Sequence, residues 1–244
     1  MSIKNKVAVI TGGSSGIGKA ISDHFIKHGA IVICFDQKAE DEVLSADNKL
    51  VLENLKVDIT DKTNVDNAVY KVINKYGKID ILVNSAGIAL LESAEALSEE
   101  YWDITMNVNL KGSFLTAQAV GKHMITQKSG SIINIASQAG IVAFDRHLAY
   151  TASKAGVIGM TKVMALEWAE FNVRVNAISP TIIMTELGKK AWAGPVGDAM
   201  MQQIPMKRFG NPEEIAGCAL FLADEASSLV TGSNLVADGG YTIK

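Results

Sequence analysis

The sequence predicts an α/β fold in which about seven parallel strands form one doubly wound sheet with helices on both faces. Short apolar, β-rich runs alternate with helical stretches, and this alternation is typical of a parallel sheet wrapped by helices. Most of the runs are apolar throughout, as strands buried on both faces should be. The 244 residues contain no repeat, low-complexity tract or change of composition that would mark a second domain. We therefore expect residues 1–244 to form a single domain.

The individual elements follow from these runs in chain order. The apolar runs predict strands at residues 7–10, 31–35, 52–57, 79–83, 131–136, 174–178 and 234–237. The stretches between them predict helices at residues 17–28, 64–76, 99–126, 149–171 and 212–223. The last helix has the clearest start, because Asn211 can cap it, Pro212 suits its first position, and Glu213 and Glu214 place acids in its first turn.

Residues 180–209 do not follow this alternation. The stretch contains three glycines, and its pattern leaves Trp192, Met200 and Met201 exposed. A loop of this length in a compact domain is usually a lid or a binding loop. We predict a substrate loop here, and the alternative is a surface segment that packs against a neighbouring subunit.

Charge, apolar content and cysteine use limit the partners and the compartment of the chain. The formal net charge is −3 with both signs interspersed, so no basic stripe exists for nucleic acid or an anionic membrane surface. The apolar runs are shorter than a bilayer span, and residues 1–5 lead into a strand without a signal sequence. Cys34 and Cys218 lie far apart in apolar segments, which is typical of buried free thiols in a reducing compartment. We therefore expect a cytoplasmic protein with no nucleic acid or membrane partner.

The histidines do not predict a metal site. His24 and His28 have the i, i+4 spacing of a zinc pair, but no matching third ligand accompanies them. A packing or solvated role is the simpler interpretation, and we expect no bound metal.

A glycine-rich segment follows the first predicted strand and opens the first predicted helix. It runs from Thr11 to Gly18 with the spacing Gly-x3-Gly-x-Gly. Glycines let the backbone approach a pyrophosphate closely, and a helix N-terminus offers unpaired N–H groups and the positive end of its dipole. A plain glycine-rich turn is the alternative, but the strand–loop–helix context favours a dinucleotide site in a Rossmann-type fold. The predicted cofactor contacts in this segment are Gly12, Ser14, Ser15, Gly16, Ile17 and Gly18.

Asp36 ends the second predicted strand and indicates which dinucleotide binds. A carboxylate at this position can accept hydrogen bonds from an adenosine ribose and would repel the 2′-phosphate of NADP. Two such charges about 4 Å apart at an intermediate dielectric would cost roughly 4 kcal/mol before screening. Gln37 is neutral, and Lys38 is the nearby cation that would weaken this repulsion. We predict NAD as the cofactor rather than NADP.

Tyr150 and Lys154 lie four residues apart in a predicted helix, and Ser137 comes thirteen residues before Tyr150. Residues at i and i+4 share a helix face, so the phenol and the ammonium are expected to be neighbours. A fixed positive charge favours a phenolate, so we expect Lys154 to lower the pKa of Tyr150 towards neutral pH. An amphipathic helix with both side chains in solvent is the alternative, because this spacing alone is common.

These motifs, taken in their order, resemble those of the short-chain dehydrogenase/reductase family over essentially the whole chain. The matching positions are Thr11, Gly12, Gly16, Gly18, Asp58, Asn84, Ser85, Ala86, Gly87, Asn109, Ser137, Tyr150, Lys154 and residues 180–185. Each motif is weak by itself, and the ordered set is specific. Two positions depart from the family pattern. Ser85 stands where a second Asn is common, and Thr181 stands where Gly is common and can reshape the nicotinamide end of the pocket.

The resemblance implies a role for each matching residue. Tyr150 would exchange a proton with the substrate oxygen, Lys154 would hold the nicotinamide ribose and lower the pKa of Tyr150, and Ser137 would hydrogen-bond the reacting oxygen. Asn109 would anchor a water relay behind Lys154. The other implied cofactor contacts are Asp58 and Ile59 at the adenine, Asn84, Ala86 and Gly87 at the adenosine ribose, and Pro180, Ile183 and Thr185 after the sixth strand, of which the last two would meet the carboxamide or the phosphates.

Residues near Tyr150 and after the sixth predicted strand indicate the substrate. Gln138, His147 and Thr181 are polar and suit a hydroxyl-rich molecule, and Trp192 joins them in the predicted pocket. Residues 179–192 and 236–242 resemble those of family members that oxidise sugar alcohols, so the resemblance implies an NAD-dependent polyol dehydrogenase that forms a ketose. The first alternative is a 3-oxoacyl-thioester reductase, which would want NADP and a basic patch for an acidic carrier protein. The second is a non-catalytic cofactor-binding subunit, although all four implied catalytic residues are present.

Self-association is also expected. The predicted helices at residues 99–126 and 149–171 have long apolar faces, and the C-terminus is apolar. The family is commonly tetrameric through these elements, so the resemblance implies a homotetramer.

Overall fold

The chain folds around an eight-stranded sheet in a computed structural model that describes residues 2–38, 42–46 and 50–243. The strands are Val7–Thr11 (β1), Ile31–Asp36 (β2), Glu42–Ala46 (β3), Leu50–Lys56 (β4), Ile81–Asn84 (β5), Gly130–Ile135 (β6), Val173–Pro180 (β7) and Asn234–Ala237 (β8). Their order across the sheet is β3-β4-β2-β1-β5-β6-β7-β8. Every neighbouring pair is parallel except β3 and β4.

The seven predicted parallel strands are confirmed, and β3 adds an eighth strand at the edge of the sheet. Strand β3 pairs antiparallel with β4 and has no second neighbour among the described residues. Its sequence, Glu-Val-Leu-Ser-Ala, mixes polar and apolar residues, so it lacks the continuous apolar pattern of a strand buried on both faces. This explains why the sequence pattern did not predict it.

Helices cover both faces of the sheet. The described helices are Gly16–Lys27 (α1), Lys62–Tyr76 (α2), Glu99–Met106 (α3), Ser113–Gln127 (α4), Leu148–Trp168 (α5), Glu186–Ala191 (α6), Pro195–Gln203 (α7) and Pro212–Ala223 (α8). Alternate residues of β1 enter two separate apolar cores. Val7 and Val9 pack with α2, α4 and α5, whereas Ala8 and Ile10 pack with α1 and α8. The doubly wound arrangement follows from this two-sided burial.

The predicted helix at residues 99–126 is interrupted by a π-helical turn, Asn107–Gly112, which joins α3 to α4. The turn carries Asn109, one of the predicted catalytic residues. Single π-turns within α-helices are frequent at functional sites. The insertion changes which side chains of the helix face the sheet.

Residues 180–209 contain two short helices, α6 and α7, and are therefore not a structureless loop. The prediction that Met200 is exposed is wrong, because it is buried with Ile204 and Phe209 in a small apolar core of this segment. Trp192 and Met201 are partly buried against the same core. The segment thus has its own packing, and we call it the substrate segment below.

The predicted start of α8 is confirmed. The Glu214 carboxylate accepts a hydrogen bond from the backbone N–H of Asn211 (2.8 Å) and two from the guanidinium of Arg208. The hydrogen bonds from Arg208 contribute most, and together with the bond from Asn211 they lower the pKa of Glu214 to about 2. Arg208 and the cap together fix the point where the substrate segment returns to the sheet.

The strand order creates a crevice at the carboxyl edge of the sheet. Strand β1 lies between β2 and β5, and successive connections run in opposite directions on its two sides. Ligands of doubly wound folds bind at such a reversal. Among the described residues, no helix is long and apolar enough to cross a membrane.

Candidate active site

The loop between β1 and α1 forms one wall of the crevice. Gly12 and Gly16 have left-handed backbone conformations (φ 65° and 54°). A side chain at Gly18 would collide with the backbone of Gly12, so the loop folds tightly. Ser15 is the N-cap residue of α1 but makes no side-chain capping bond, and the first turn carries no acid. The loop therefore offers free N–H groups to an anion, which fits the pyrophosphate of a dinucleotide.

The predicted contacts within this loop differ in exposure. Gly18 is buried, Gly12 and Ile17 are partly buried, and Ser14, Ser15 and Gly16 are exposed. The exposed group lies at the start of α1, where an anion would approach.

The loop after β5 forms the facing wall and is held by Thr11. The Thr11 hydroxyl oxygen accepts hydrogen bonds from the backbone N–H groups of Ser85 (3.0 Å) and Ala86 (3.1 Å). A Cβ atom at Gly12 would lie only 3.0 Å from the Cα atom of Ala86, so the two loops touch. Ser85, which replaces the common Asn, thus contributes its backbone to the wall, and Ala86 lies beside the glycine loop.

Asn84 supports this wall from below. Its side chain is 2% exposed, donates to the Asn134 side-chain oxygen (2.9 Å) and the Ser113 carbonyl (3.2 Å), and accepts from the Thr116 hydroxyl (2.6 Å). These partners direct the amide into the core rather than into the crevice. Asn84 therefore fixes the carboxyl end of β5, and its side chain is not available to a ribose.

Asp36 and Asp58 lie at the carboxyl ends of the neighbouring strands β2 and β4. Gln37 bridges the two ends by donating to Asp58 (3.2 Å), while Asp36 accepts from the backbone N–H of Lys38 (3.1 Å). Asp58 also accepts from the backbone and hydroxyl of Thr60 (2.9 and 2.7 Å). The two carboxylates give this end of the crevice a negative character.

Ile59 follows Asp58 and is mostly buried. Its side chain packs against the π-turn, where a Cβ atom at Gly112 would meet Ile59 Cδ1 at 2.6 Å. Ile59 thus lies at the base of this end of the crevice, between the sheet and the π-turn.

Asn109 clamps the loop after β5 to helix α5. Its side chain is fully buried, accepts from the N–H of Ile88 (2.8 Å) and donates to the Ile88 carbonyl (2.9 Å). It also donates to the Ser153 hydroxyl (3.0 Å), which in turn donates to the Tyr150 carbonyl (2.7 Å). A Cβ atom at Gly87 would lie 3.3 Å from Asn109 Oδ1 and 3.4 Å from Lys154 Nζ. Asn109 and Lys154 therefore face the same point of the crevice wall.

Ser137, Tyr150 and Lys154 meet between β6 and α5. Lys154 Nζ donates to the Ile135 carbonyl (2.7 Å) and lies 5.7 Å from the centre of the Tyr150 ring. Ser137 follows β6, and its hydroxyl accepts from the N–H of Ala139 (3.1 Å) and acts on the Tyr150 hydroxyl by a hydrogen bond. The structure thus brings together the three side chains that the sequence predicted as a proton-transfer group.

Burial controls the ionisation of this group. It lowers the pKa of Lys154 to about 8 and raises the pKa of Tyr150, against the opposing effect of the Ser137 hydrogen bond. The expected fall of the Tyr150 pKa does not occur in the protein chain alone, and the contribution of Lys154 to this pKa stays a prediction. The buried phenolate loses more hydration than the hydrogen bond restores, and the Lys154 ammonium points to the Ile135 carbonyl.

The segment after β7 reaches the glycine loop. Pro180 is buried at the end of β7, and Ile183 is buried in the core between α1 and α8. Thr185 caps α6 by accepting from the N–H of Gly188 (3.1 Å), and its methyl group lies 3.4 Å from the position of a Cβ atom at Gly16. Thr185 therefore borders the glycine loop directly.

The predicted substrate residues differ in their surroundings. Gln138 Oε1 and Thr181 Oγ1 are buried oxygens without a hydrogen-bond partner among the described residues. His147 Nδ1 lies 2.6 Å from the Asp145 carbonyl, and its ring meets the Tyr150 ring edge-on at 5.9 Å between centres. Trp192 packs on Phe209 in the substrate segment (6.1 Å). Buried polar atoms are normally paired, so these two oxygens are open to a hydrogen-bond partner from outside the described residues.

Sequence reasoning missed Phe144 and Tyr241, which also belong to this region. Their rings stack at 5.4 Å between centres, and Phe144 lies 5.7 Å from the ring of His147. The available signal was weak: one apolar residue in a loop and one aromatic residue near the C-terminus. Only the fold brings them together.

Among the residues that the structure describes, no group of three His, Cys, Asp or Glu side chains could hold a metal ion. His24 and His28 pack their rings together at 4.6 Å on α1. Cys34 is a buried thiol whose pKa is raised to about 11 by desolvation, and Cys218 is partly buried.

The glycine loop, the facing wall and the Ser137–Tyr150–Lys154 group on this sheet define a dinucleotide-dependent oxidoreductase. A family model described as enoyl-(acyl carrier protein) reductase matches residues 12–242. The chain is 57% identical over 243 residues to an NAD-dependent glycerol dehydrogenase of Listeria innocua serovar 6a, with 99% of the chain and 96% of the relative covered. The chain therefore belongs to the short-chain dehydrogenase/reductase family.

Other relatives differ in the substrate that their names give. The chain is 49% identical to a D-threitol dehydrogenase of Mycolicibacterium smegmatis, covering 99% of the chain and 95% of that relative. It is 43% identical to a 3-oxoacyl-[acyl-carrier-protein] reductase of Thermotoga maritima, with both chains covered in full. Among solved structures, an NAD⁺-bound xylitol dehydrogenase aligns with a TM-score of 0.88 at 28% identity, covering 97% of the chain and 98% of that protein.

Proposed function

We propose that this protein is an NAD-dependent polyol dehydrogenase, which oxidises a secondary hydroxyl of a sugar alcohol to a ketone in a reversible reaction. One observation carries the proposal: two buried oxygens without partners, Gln138 Oε1 and Thr181 Oγ1, accompany the Ser137–Tyr150–Lys154 group. A substrate with several hydroxyl groups can satisfy such oxygens, whereas an apolar ketone cannot. The glycerol and threitol dehydrogenases among the relatives support the same substrate class.

The proposed cofactor is NAD, which the crevice fits in shape and charge. The pyrophosphate would lie on the start of α1, along Gly12, Ser14, Ser15, Gly16, Ile17 and Gly18. Asp36 would bind the adenosine ribose and disfavour a 2′-phosphate. The further proposed contacts are Asp58, Ile59, Ala86, Gly87, Pro180, Ile183 and Thr185, with Asn84 holding the end of β5 from below. When bound, NAD accepts the hydride from the carbinol carbon.

The chain itself supplies orientation and proton exchange. Tyr150 takes the proton of the substrate hydroxyl during oxidation and returns it during reduction. The Ser137 hydroxyl hydrogen-bonds the same oxygen and holds it beside the phenol. Lys154 uses one N–H on the Ile135 carbonyl and keeps two for the hydroxyls of the nicotinamide ribose. Asn109 keeps the backbone around Tyr150 and Ile88 in place, and its position facing Lys154 suits the anchor of a water relay.

The residues proposed for specificity surround the hydroxyl groups beyond the reacting carbon. Gln138 and Thr181 would accept from substrate hydroxyls. His147, fixed by the Asp145 carbonyl, would present its second ring nitrogen. Trp192 would close the pocket from the substrate segment, which we assign as the lid over residues 180–209 of the single domain.

A 3-oxoacyl-thioester reductase is the second candidate, and the relative from Thermotoga maritima favours it. Asp36 opposes this candidate, because its charge at the end of β2 disfavours the 2′-phosphate of NADP. A non-catalytic cofactor-binding subunit receives the least support, since Asn109, Ser137, Tyr150 and Lys154 are all present.

We also propose a cytoplasmic homotetramer. Apolar side chains on α3, α4 and α5 are exposed in the single chain, among them Trp102, Phe114, Val163 and Leu166. Patches of this kind usually mark contacts with another protein. The two free thiols fit a reducing compartment.

A substrate panel tests the proposed function. Purified protein is mixed with NAD or NADP and with glycerol, the tetritols, xylitol and other pentitols, and the hexitols, and formation of the reduced cofactor is followed by absorbance. In parallel, an acetoacetyl thioester is offered with NADH or NADPH. We expect turnover with NAD and at least one polyol. No turnover on any polyol, together with thioester reduction by NADPH, would show that the second candidate is right.

A further inference from the structure

A turn from Asp238 to Ile243 follows β8, and we call it the C-terminal turn. Asp238 is nearly buried directly after β8 and organises the turn with its carboxylate. One oxygen accepts from the N–H of Gly240 (2.8 Å), and the other accepts from the N–H and the hydroxyl of Thr242 (2.8 and 2.7 Å). Because one carboxylate accepts three hydrogen bonds, it fixes the conformation of the turn and the direction in which its side chains point.

The C-terminal turn packs directly on the end of the substrate segment. The N–H of Met206 donates to the Gly239 carbonyl (3.1 Å). A Cβ atom at Gly239 would lie 2.8 Å from Ile204 Cγ2, and one at Gly240 would lie 3.1 Å from Pro205 Cγ. Both glycines have positive φ (63° and 87°), so the turn needs glycine for its conformation as well as for this approach.

Tyr241 connects the turn to the catalytic helix through a row of rings. Its ring stacks on Phe144 (5.4 Å, 21° between planes), Phe144 contacts His147 (5.7 Å), and His147 meets Tyr150 (5.9 Å). Phe144 and Tyr241 also pack against the buried Met200–Ile204–Phe209 core of the substrate segment, beside Trp192. Tyr241 thus contacts both the substrate segment and Phe144, which in turn contacts His147.

We propose that Tyr241 is a positioning residue. Its ring holds the substrate segment against the loop that contains Phe144 and His147, so that the polyol pocket is closed. The proposal rests on the proposed function for the identity of the ligand. The described contacts of the turn are with the substrate segment and with Phe144, so loss of the ring should weaken polyol binding and leave NAD binding unchanged.

The test compares Tyr241→Leu, Tyr241→Phe and Phe144→Leu with the wild-type enzyme in steady-state kinetics. We expect Tyr241→Leu and Phe144→Leu each to raise the KM for the polyol roughly three- to tenfold, the range expected for loss of one aromatic pair, with the KM for NAD unchanged. Tyr241→Phe keeps the ring and should raise the polyol KM less than Tyr241→Leu does. The double variant should be little worse than either single variant, because both remove the same contact. Tyr70→Leu, an exposed aromatic on α2, is the matched control.

Hydrogen exchange provides a readout that does not depend on turnover. In Tyr241→Leu, peptides covering residues 186–209 should exchange faster, while peptides of α2 should not change. Unchanged exchange and unchanged polyol KM would refute the positioning role, as would an equal rise of the KM for NAD, which indicates general loosening. If the wild-type enzyme oxidises no polyol but exchange still rises, the proposed function fails and the positioning role stands.

Discussion

Lys154 is an ammonium buried beside a phenol, and burial has a measurable consequence for folding. Its pKa falls from 10.5 to about 8 because the charged form loses its hydration. Below pH 8 the amine is charged in both the folded and the unfolded chain, so the cost of burying the charge is fully present. Between pH 8 and 10.5 the unfolded chain binds more protons than the folded chain, so the free energy of unfolding rises with pH.

Lys154→Met removes this dependence. We expect the free energy of unfolding of the wild type, relative to the variant, to rise by roughly 2 kcal/mol between about pH 7.5 and about pH 9.5. Urea titrations of both proteins at several pH values measure the difference. Parallel pH dependence of the two proteins would mean that the amine is not buried as described.

The residue order predicted which side chains meet, but it did not predict how each is oriented or ionised. Ser137, Tyr150 and Lys154 are brought together as expected, since the helix spacing of Tyr150 and Lys154 is a local property. The Asn84 amide turns into the core because Thr116 and Asn134 bind it, and these partners are distant in sequence. The pKa of Tyr150 depends on burial by the whole fold, which no local pattern reports.

The π-turn at Asn107–Gly112 places one fully buried amide against two other elements. Asn109 binds both backbone groups of Ile88 and the hydroxyl of Ser153, so it links α3, α4, α5 and the loop after β5. Helical periodicity predicted a continuous helix over residues 99–126, because an inserted π-turn leaves the composition of a helix unchanged.

Asn109→Ala should destabilise the fold as well as reduce activity. Loss of three buried hydrogen bonds is expected to lower the free energy of unfolding by about 2–4 kcal/mol. Urea denaturation measures the loss, and Asn67→Ala on the exposed face of α2 serves as the control with a change near zero. An equal effect of both substitutions would contradict the clamp described for Asn109.

The short helices α6 and α7 were not predicted because their local signals are poor. Helix α6 has six residues and includes Gly188, and α7 has nine and includes Gly197. Packing around Met200, Ile204 and Phe209 stabilises them instead. By contrast, the capping residues Asn211 and Glu214 predicted the start of α8, and the helix lies at the predicted residues.

The seven parallel strands of the sheet could be predicted because they carry a strong signal. Strands buried on both faces are apolar throughout, and the glycine loop locates the first of them. The edge strand β3 was missed. It pairs with β4 alone, and its mixed polar and apolar sequence lacks the continuous apolar pattern used to predict the other strands.

The exposed apolar helices predict how copies of the chain associate. Leu166 is 82% and Val163 55% exposed on α5, so a partner should cover this face. Light scattering of the wild type should give a mass close to four times the 26.0 kDa chain, and Leu166→Glu should lower it by placing a charge in the contact. Tyr70→Glu on α2 should leave the mass unchanged. A monomeric wild type would refute the tetramer, and a Leu166→Glu tetramer would refute this face as the contact.

The central claim is that Tyr150 exchanges the proton with a polyol while NAD takes the hydride, and Tyr150→Phe tests it most directly. The substitution removes one hydroxyl and keeps the ring that contacts His147. With NAD and the best polyol of the panel, we expect kcat to fall roughly 100- to 10,000-fold, with the Kd for NAD from fluorescence titration unchanged. A Tyr150→Phe enzyme that retains near-normal turnover would contradict the account.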